Sequence, residues 1–148
     1  NDKFILTPDY DKPVRFNYHL DNNVAILKLF PGIQESVVKS VFSIQGLKGV
    51  VLETFGSGNA LRDQWFIDTL DEAYTKGIVV VNVTQCLYGN VEMHRYGTGQ
   101  HLEKLGVVSG HDMTSEAALA KLMTLIGNGK SPEEERHYMS MSWRGEMS

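Results

Sequence analysis

An α/β domain built on a parallel sheet is what this sequence predicts, and three observations predict it. Four short apolar runs recur along the 148 residues: Val24 to Phe30, Gly49 to Phe55, Gly77 to Thr84 and Gly106 to Ser109. They do not alternate polar with apolar residues, which is the pattern of strands covered on both faces. Between them lie segments whose apolar residues fall at helical spacing. Strand–helix alternation of this kind implies right-handed crossovers, hence a three-layer, Rossmann-like or flavodoxin-like four-stranded parallel sheet with helices on both faces.

The first 22 residues read as an interdomain linker. Pro8, Asp9, Asp11, Lys12 and Pro13 are turn and breaker residues, Phe16 to Leu20 reads as a short edge strand, and Asp21-Asn22-Asn23 marks a turn. Residues 23–148 form the folded domain. After Pro31-Gly32, the spacing of Ile33, Val37, Val38, Val41 and Phe42 predicts the first helix. The second spans Leu61 to Lys76, with Trp65, Phe66, Leu70 and Ala73 on one side and Gly77 as its C-terminal stop. A shorter one covers Gly99 to Leu105. The fourth, Thr114 to Ile126, aligns Ala118, Leu119, Leu122, Met123 and Ile126. Ser131-Pro132-Glu133-Glu134 opens the last as N-cap, N1 proline and capping box.

Composition bounds the function. A hydrophobic content of 42% with 22% charged residues is that of a globular domain. The net charge of −4, with no Lys/Arg cluster, argues against a nucleic-acid partner. No apolar stretch approaches the ~18 residues that span a bilayer. One cysteine allows no internal disulfide, which suits a reducing, cytoplasmic setting. The start Asn1-Asp2-Lys3-Phe4 has neither Met nor a signal segment, so the chain is expected to be processed or cut from something longer.

Polar, glycine-rich segments at the carboxyl ends of parallel strands are where open α/β sheets hold ligands. Two such segments occur, Phe55-Gly56-Ser57-Gly58-Asn59-Ala60 and Thr84-Gln85-Cys86-Leu87-Tyr88-Gly89. Gly56 and Gly58 permit positive φ and would expose backbone N–H groups near a helix N-terminus, suiting a carboxylate or phosphate. Leu61 occupies the third-glycine position of a dinucleotide fingerprint, and no Gly-Lys-Ser/Thr follows to make a P-loop. The structural alternative is a tight strand–helix turn with Asn59 as helix cap. Cys86 reads either as a nucleophile lacking a legible base or as a partly buried structural residue. His94, His101 and His111 do not have recognised metal-ligand spacing. The loop from Tyr88 to Tyr96 reads as a binding edge or a solvated loop, and Asp112 or Thr114 as a helix cap; His19 and His137 read as surface residues. No metal and no cofactor is expected. On the residues alone the chain is a ligand-binding or assembly domain, such as a stand-alone regulatory module for a small molecule.

Gly56-Ser57-Gly58-Asn59-Ala60 resembles the G-x-G-N-A-P motif of type I (cytoplasmic) bacterial L-asparaginases. The likeness continues through Gly77 to Cys86, Tyr96-Gly97-Thr98-Gly99, Gly106 to Gly110, Asp112 to Leu122 and Arg144-Gly145-Glu146, and covers Val24 to Glu146. It implies the C-terminal domain of an enzyme that hydrolyses asparagine to aspartate and ammonia. The family's threonine nucleophile sits in a T-G-G-T segment of an N-terminal domain, where a second Thr-Asp pair and a Lys also lie. This chain contains no T-G-G-T, so it is expected to carry no catalytic residue and to be inactive without its own N-terminal catalytic domain.

The resemblance further implies homodimers assembled into homotetramers. A neighbour's C-terminal domain closes each active site, with Asn59 and Gly58 meeting substrate in trans. Leu61 replaces the family's usual proline after Ala60. Some members bind asparagine as an effector as well as a substrate, through a Cys that maps onto Cys86 and an Arg. With the strand in register (R-S-Y-G against Glu53-Thr54-Phe55-Gly56), Glu53 takes that Arg's place. The swap reverses the charge facing a ligand carboxylate, so this allosteric site is expected to be lost or altered.

Overall fold

The computed structural model describes residues 18–86, 88–93 and 97–148. Its elements in chain order are β1 (Val24–Lys28), α1 (Glu35–Phe42), β2 (Gly49–Thr54), α2 (Gln64–Thr75), β3 (Val79–Thr84), α3 (Gly97–Lys104), β4 (Val108–Ser109), α4 (Ser115–Gly127) and α5 (Pro132–Met139). All strand pairs are parallel, and Ile26, Val51 and Val81 lie abreast in β1 to β3. The edge strand expected at 16–20 falls partly on residues outside those described. Tyr18 to Leu20 carry no strand, and the following residue is tied to α4 instead, the Asp21 N–H donating to the Met123 carbonyl at 3.0 Å.

Two cores fill the two faces of the sheet, as period-2 side chains of twice-covered strands require. Ile78 and Val80 of the β3 segment join Val50 and Leu52 under α1 and α2, with Val38, Phe42, Phe66, Leu70 and Ala73 packed against them. Val79, Val81 and Val83 join Val51 on the other face, under Ala118, Leu122, Leu125 and Ile126 of α4 and Met139 of α5. Full burial of a side chain as large as Phe66 stabilises by roughly 1.5–3 kcal/mol. Gly49 lets α4 lie close on β2, since a Cβ there would stand 2.6 Å from Leu122 Cδ2.

The strand order is β1-β2-β3-β4 without reversal. Crossovers of one hand that step one way across a sheet leave their helices on one side, and side chains of α1, α2 and α3 do share one core. After β4 there is no strand left to reach, so α4 and α5 fold back over the open face. Because their order never reverses, the described strands form no topological switch point, the usual ligand crevice of open sheets.

Helix ends follow their local signals. Ser131 and Glu134 form the expected capping box, each side chain bonding the other's backbone N–H. Gly77 has φ +78° and ends α2. Thr114, rather than Asp112, caps α4, accepting from the Ala117 N–H at 3.2 Å.

Candidate functional site

Strand β2 ends in a loop that curls back on itself. Phe55 and Asn59 form an antiparallel bridge, each N–H donating to the other's carbonyl at 2.8 Å, with Gly56-Ser57-Gly58 as the tip. Gly56 (φ +50°) and Gly58 (φ +103°) supply the backbone angles that only glycine adopts freely. This corrects two expectations. Asn59 is not a helix cap, because the bridge closes the loop early and α2 begins only at Gln64, with Asp63 as N-cap. Nor are the loop amides presented at a helix N-terminus: the Gly58 and Asn59 N–H groups both turn to the Phe55 carbonyl, at 3.1 and 2.8 Å.

Strand β3 and the loop after it hold this tip carbonyl by carbonyl. Gly56 O accepts from the Thr84 hydroxyl, Ser57 O from the Glu92 N–H at 3.0 Å, and Gly58 O from Asn82 Nδ2 at 3.1 Å. Asn82 Oδ1 in turn accepts from the Thr54 hydroxyl at 2.6 Å. Thr54 and Asn82 are fully buried. The signal for them was present as single polar residues inside apolar runs, but their partners lie 24 and 28 positions away.

The second segment builds a cavity of about 210 Å³ on the other face, lined by Glu53, Cys86, Asp112, Ser115, Glu116 and Lys28 among others. Glu53 Oε1 accepts from the Ser115 hydroxyl at 2.5 Å, and Lys28 Nζ stands 3.7 Å from Oε2. Gln85 closes the strand ends beside it, its Nε2 donating to the carbonyls of Leu29 (2.6 Å) and Glu53 (2.9 Å). Cys86 is exposed, so the reading as a partly buried structural thiol does not hold: it sits past the end of β3, above the packed layer.

A C-terminal strap borders this cavity. Ser148 donates to Asp112 through its N–H (2.8 Å) and its hydroxyl (2.6 Å). Burial would raise the Asp112 carboxyl, but these bonds hold it below its ordinary value. Upstream, the buried Lys121 ammonium meets Glu146 at 2.7 Å and also donates to the Met141 carbonyl. Glu146 accepts from the Trp143 and Arg144 N–H groups at 3.0 and 2.6 Å. Burial opposes its ionisation, yet these donors bring its pKa down to about 2.

Among the remaining candidates, Tyr88 is fully exposed, His101 lies exposed on α3, and His111 has φ +52° beside β4. Leu87, His94, Arg95 and Tyr96 lie outside the described residues. Among the described residues no group of three metal-ligating side chains forms, and no helix is long and apolar enough to cross a membrane.

A four-stranded parallel sheet in the order β1-β2-β3-β4, with a glycine-rich loop at the end of β2, defines an α/β domain whose candidate residues gather at its strand ends. The sequence profile of the glutaminase/asparaginase C-terminal domain matches residues 23–139, and the chain belongs to that family. It is 42% identical over 125 residues to L-asparaginase 1 of Escherichia coli, covering 84% of this chain and 37% of that protein. It is also 42% identical over 130 residues to the 60 kDa lysophospholipase of Mus musculus, covering 87% of this chain and 23% of that one. The crystal structure of L-asparaginase I from Vibrio cholerae superposes with a TM-score of 0.80 at 41% identity, over 85% of this chain and 38% of that one. The chain thus spans well under half the length of these relatives.

Proposed function

We propose that this chain is the C-terminal domain of a cytoplasmic L-asparaginase, serving assembly and closing a neighbouring subunit's active site in trans. The single observation that carries the reading is the Phe55–Asn59 curl, pinned at three successive carbonyls to β3 and its loop. Such a mount suits an asparagine side chain that must meet a substrate bound elsewhere. Asn59 offers its amide to the α-carboxylate or α-ammonium end of asparagine, and Gly58 supplies the positive-φ turn just before it. One or two such bonds contribute ~1–3 kcal/mol, felt in substrate binding more than in the chemical step. Leu20, Ile26 and Phe30, exposed on and around edge strand β1, support a dimer or tetramer that covers this side.

Effector binding of asparagine at the Cys86 cavity is lost or altered in this reading. Glu53, Asp112 and Glu116 outnumber Lys28 in its lining, which disfavours a ligand carboxylate. Calorimetry showing asparagine binding that depends on Cys86 would overturn this.

The test of the main reading is complementation. Alone, the chain releases no ammonia from asparagine; joined to the upstream domain that carries T-G-G-T, it restores turnover, and Asn59→Ala raises KM. Turnover by the isolated chain would sink the proposal. So would release of fatty acid from a lysophospholipid, with no ammonia from asparagine, by the joined protein.

A further inference from the structure

We propose that Asn82 is the positioning residue of the Gly56–Asn59 loop: through Thr54 on one side and Gly58 on the other, its carboxamide fixes the direction in which Asn59 leaves the sheet. The functional half of this inference rests on the trans role given to Asn59 above.

Asn82 stands in β3 on the face where its neighbours Ile78 and Val80 pack under α1 and α2. A buried amide in an apolar strand is costly unless both ends are matched, and an apolar side chain would extend the core here. Both ends are matched. The Gly58 carbonyl can only accept, so Nδ2 must face it; Oδ1 then faces the Thr54 hydroxyl, which donates. Val91 closes the remaining side. A Cβ at Gly58 would lie 2.8 Å from Val91 Cγ1 and 3.2 Å from Asn82 Nδ2, so the loop is clamped between the two. The backbone of Asn82 extends the clamp, its carbonyl accepting from the Gly110 N–H at 2.7 Å.

The other two loop anchors differ in kind. The residues that supply them are more open to solvent, Thr84 being half-buried and Glu92 exposed. Asn82 and Thr54 are at 0% exposure, so the hydrogen bonds they supply are shielded from solvent. Loss of this anchor leaves the Gly58 carbonyl without a partner, and the loop must move to solvate it.

Asn82→Asp tests this with little change of size, because it turns an acceptor toward the Gly58 carbonyl. Thr54→Val removes the donor that orients the amide, and Thr54→Ser keeps it. All are made in the full-length protein and read twice. By hydrogen exchange, the Phe55–Ala60 segment exchanges roughly tenfold faster in Asn82→Asp and Thr54→Val, as loss of a buried hydrogen bond predicts, and normally in Thr54→Ser. By kinetics, KM for asparagine rises about five- to tenfold in the first two with kcat within about twofold, and Thr54→Ser restores it. Unchanged exchange in folded Asn82→Asp overturns the positioning role; should that variant not fold, the Thr54→Val and Thr54→Ser pair decides. Faster exchange with an unchanged KM leaves the positioning role standing and overturns the trans role of Asn59.

Discussion

Glu53 and Thr54 are neighbours in β2, yet they belong to opposite sides of the sheet and to two unlike sites. Thr54 points toward α1 and α2 and ends in a dry network in which Asn82 and Gly58 complete each other's hydrogen bonds. Glu53 points toward α4 and ends in a small charged cavity, with an exposed thiol and an ammonium 3.7 Å away. Pleating alone separates them, since successive side chains of a strand face opposite ways. The difference teaches how tightly each rim is specified. Where polar groups are buried, each must be matched and the geometry is rigid; where they reach water, charges can be exchanged at small cost.

Four perturbations test that contrast. Gly58→Ala should cost the most, about 2–5 kcal/mol, from a positive-φ backbone and the clash with Val91. Urea denaturation measures it, and a loss under ~1 kcal/mol would show a yielding loop.

Acid should act next, and on the other rim. The Glu146 carboxyl falls from an ordinary 4.5 to about 2 in the folded chain, so its contribution is complete above pH 4.5 and disappears as pH drops toward 2. That contribution is on the order of 3 kcal/mol, at 1.36 kcal/mol per unit. Trp143 fluorescence should report release of the strap in this window, while Glu146→Gln is already loosened at neutral pH. Loss of the Asn59 loop before the strap would invert the contrast.

Glu53→Arg should give up ~1–2 kcal/mol with the Ser115 bond and the Lys28 pair, and gain a calorimetric heat of asparagine binding in the Cys86 cavity. Persistent lack of binding would mean that more than this one charge separates the cavity from a carboxylate site. Smallest of all, Cys86→Ser should leave Tm almost unmoved, within about 0.5 kcal/mol of stability, because the thiol is exposed and outside both cores.

Much of the fold was legible in particular residues. Ser131 and Glu134 announced α5, Gly77 ended α2, and the unbroken apolar runs marked strands buried on both faces. These features act within a few residues, which is why they can be read in line. The site was legible only in outline. Asn59 looked like a cap because the distance from β2 to α2 depends on a bridge back to Phe55, which no local propensity reports. Cys86 looked structural because exposure past a strand end is decided by what packs over it.

Periodicity, caps and turn residues are local physics, so the α/β class, the order of elements and the two strand-end segments could be read from the chain in line. That the strand order never reverses, that Glu53 and Thr54 serve different faces, and that Asn82 grips the loop from 24 residues away emerged only in the folded sheet. Those outcomes depend on strand register and on which buried polar groups can satisfy one another, and both exist only once the sheet is formed.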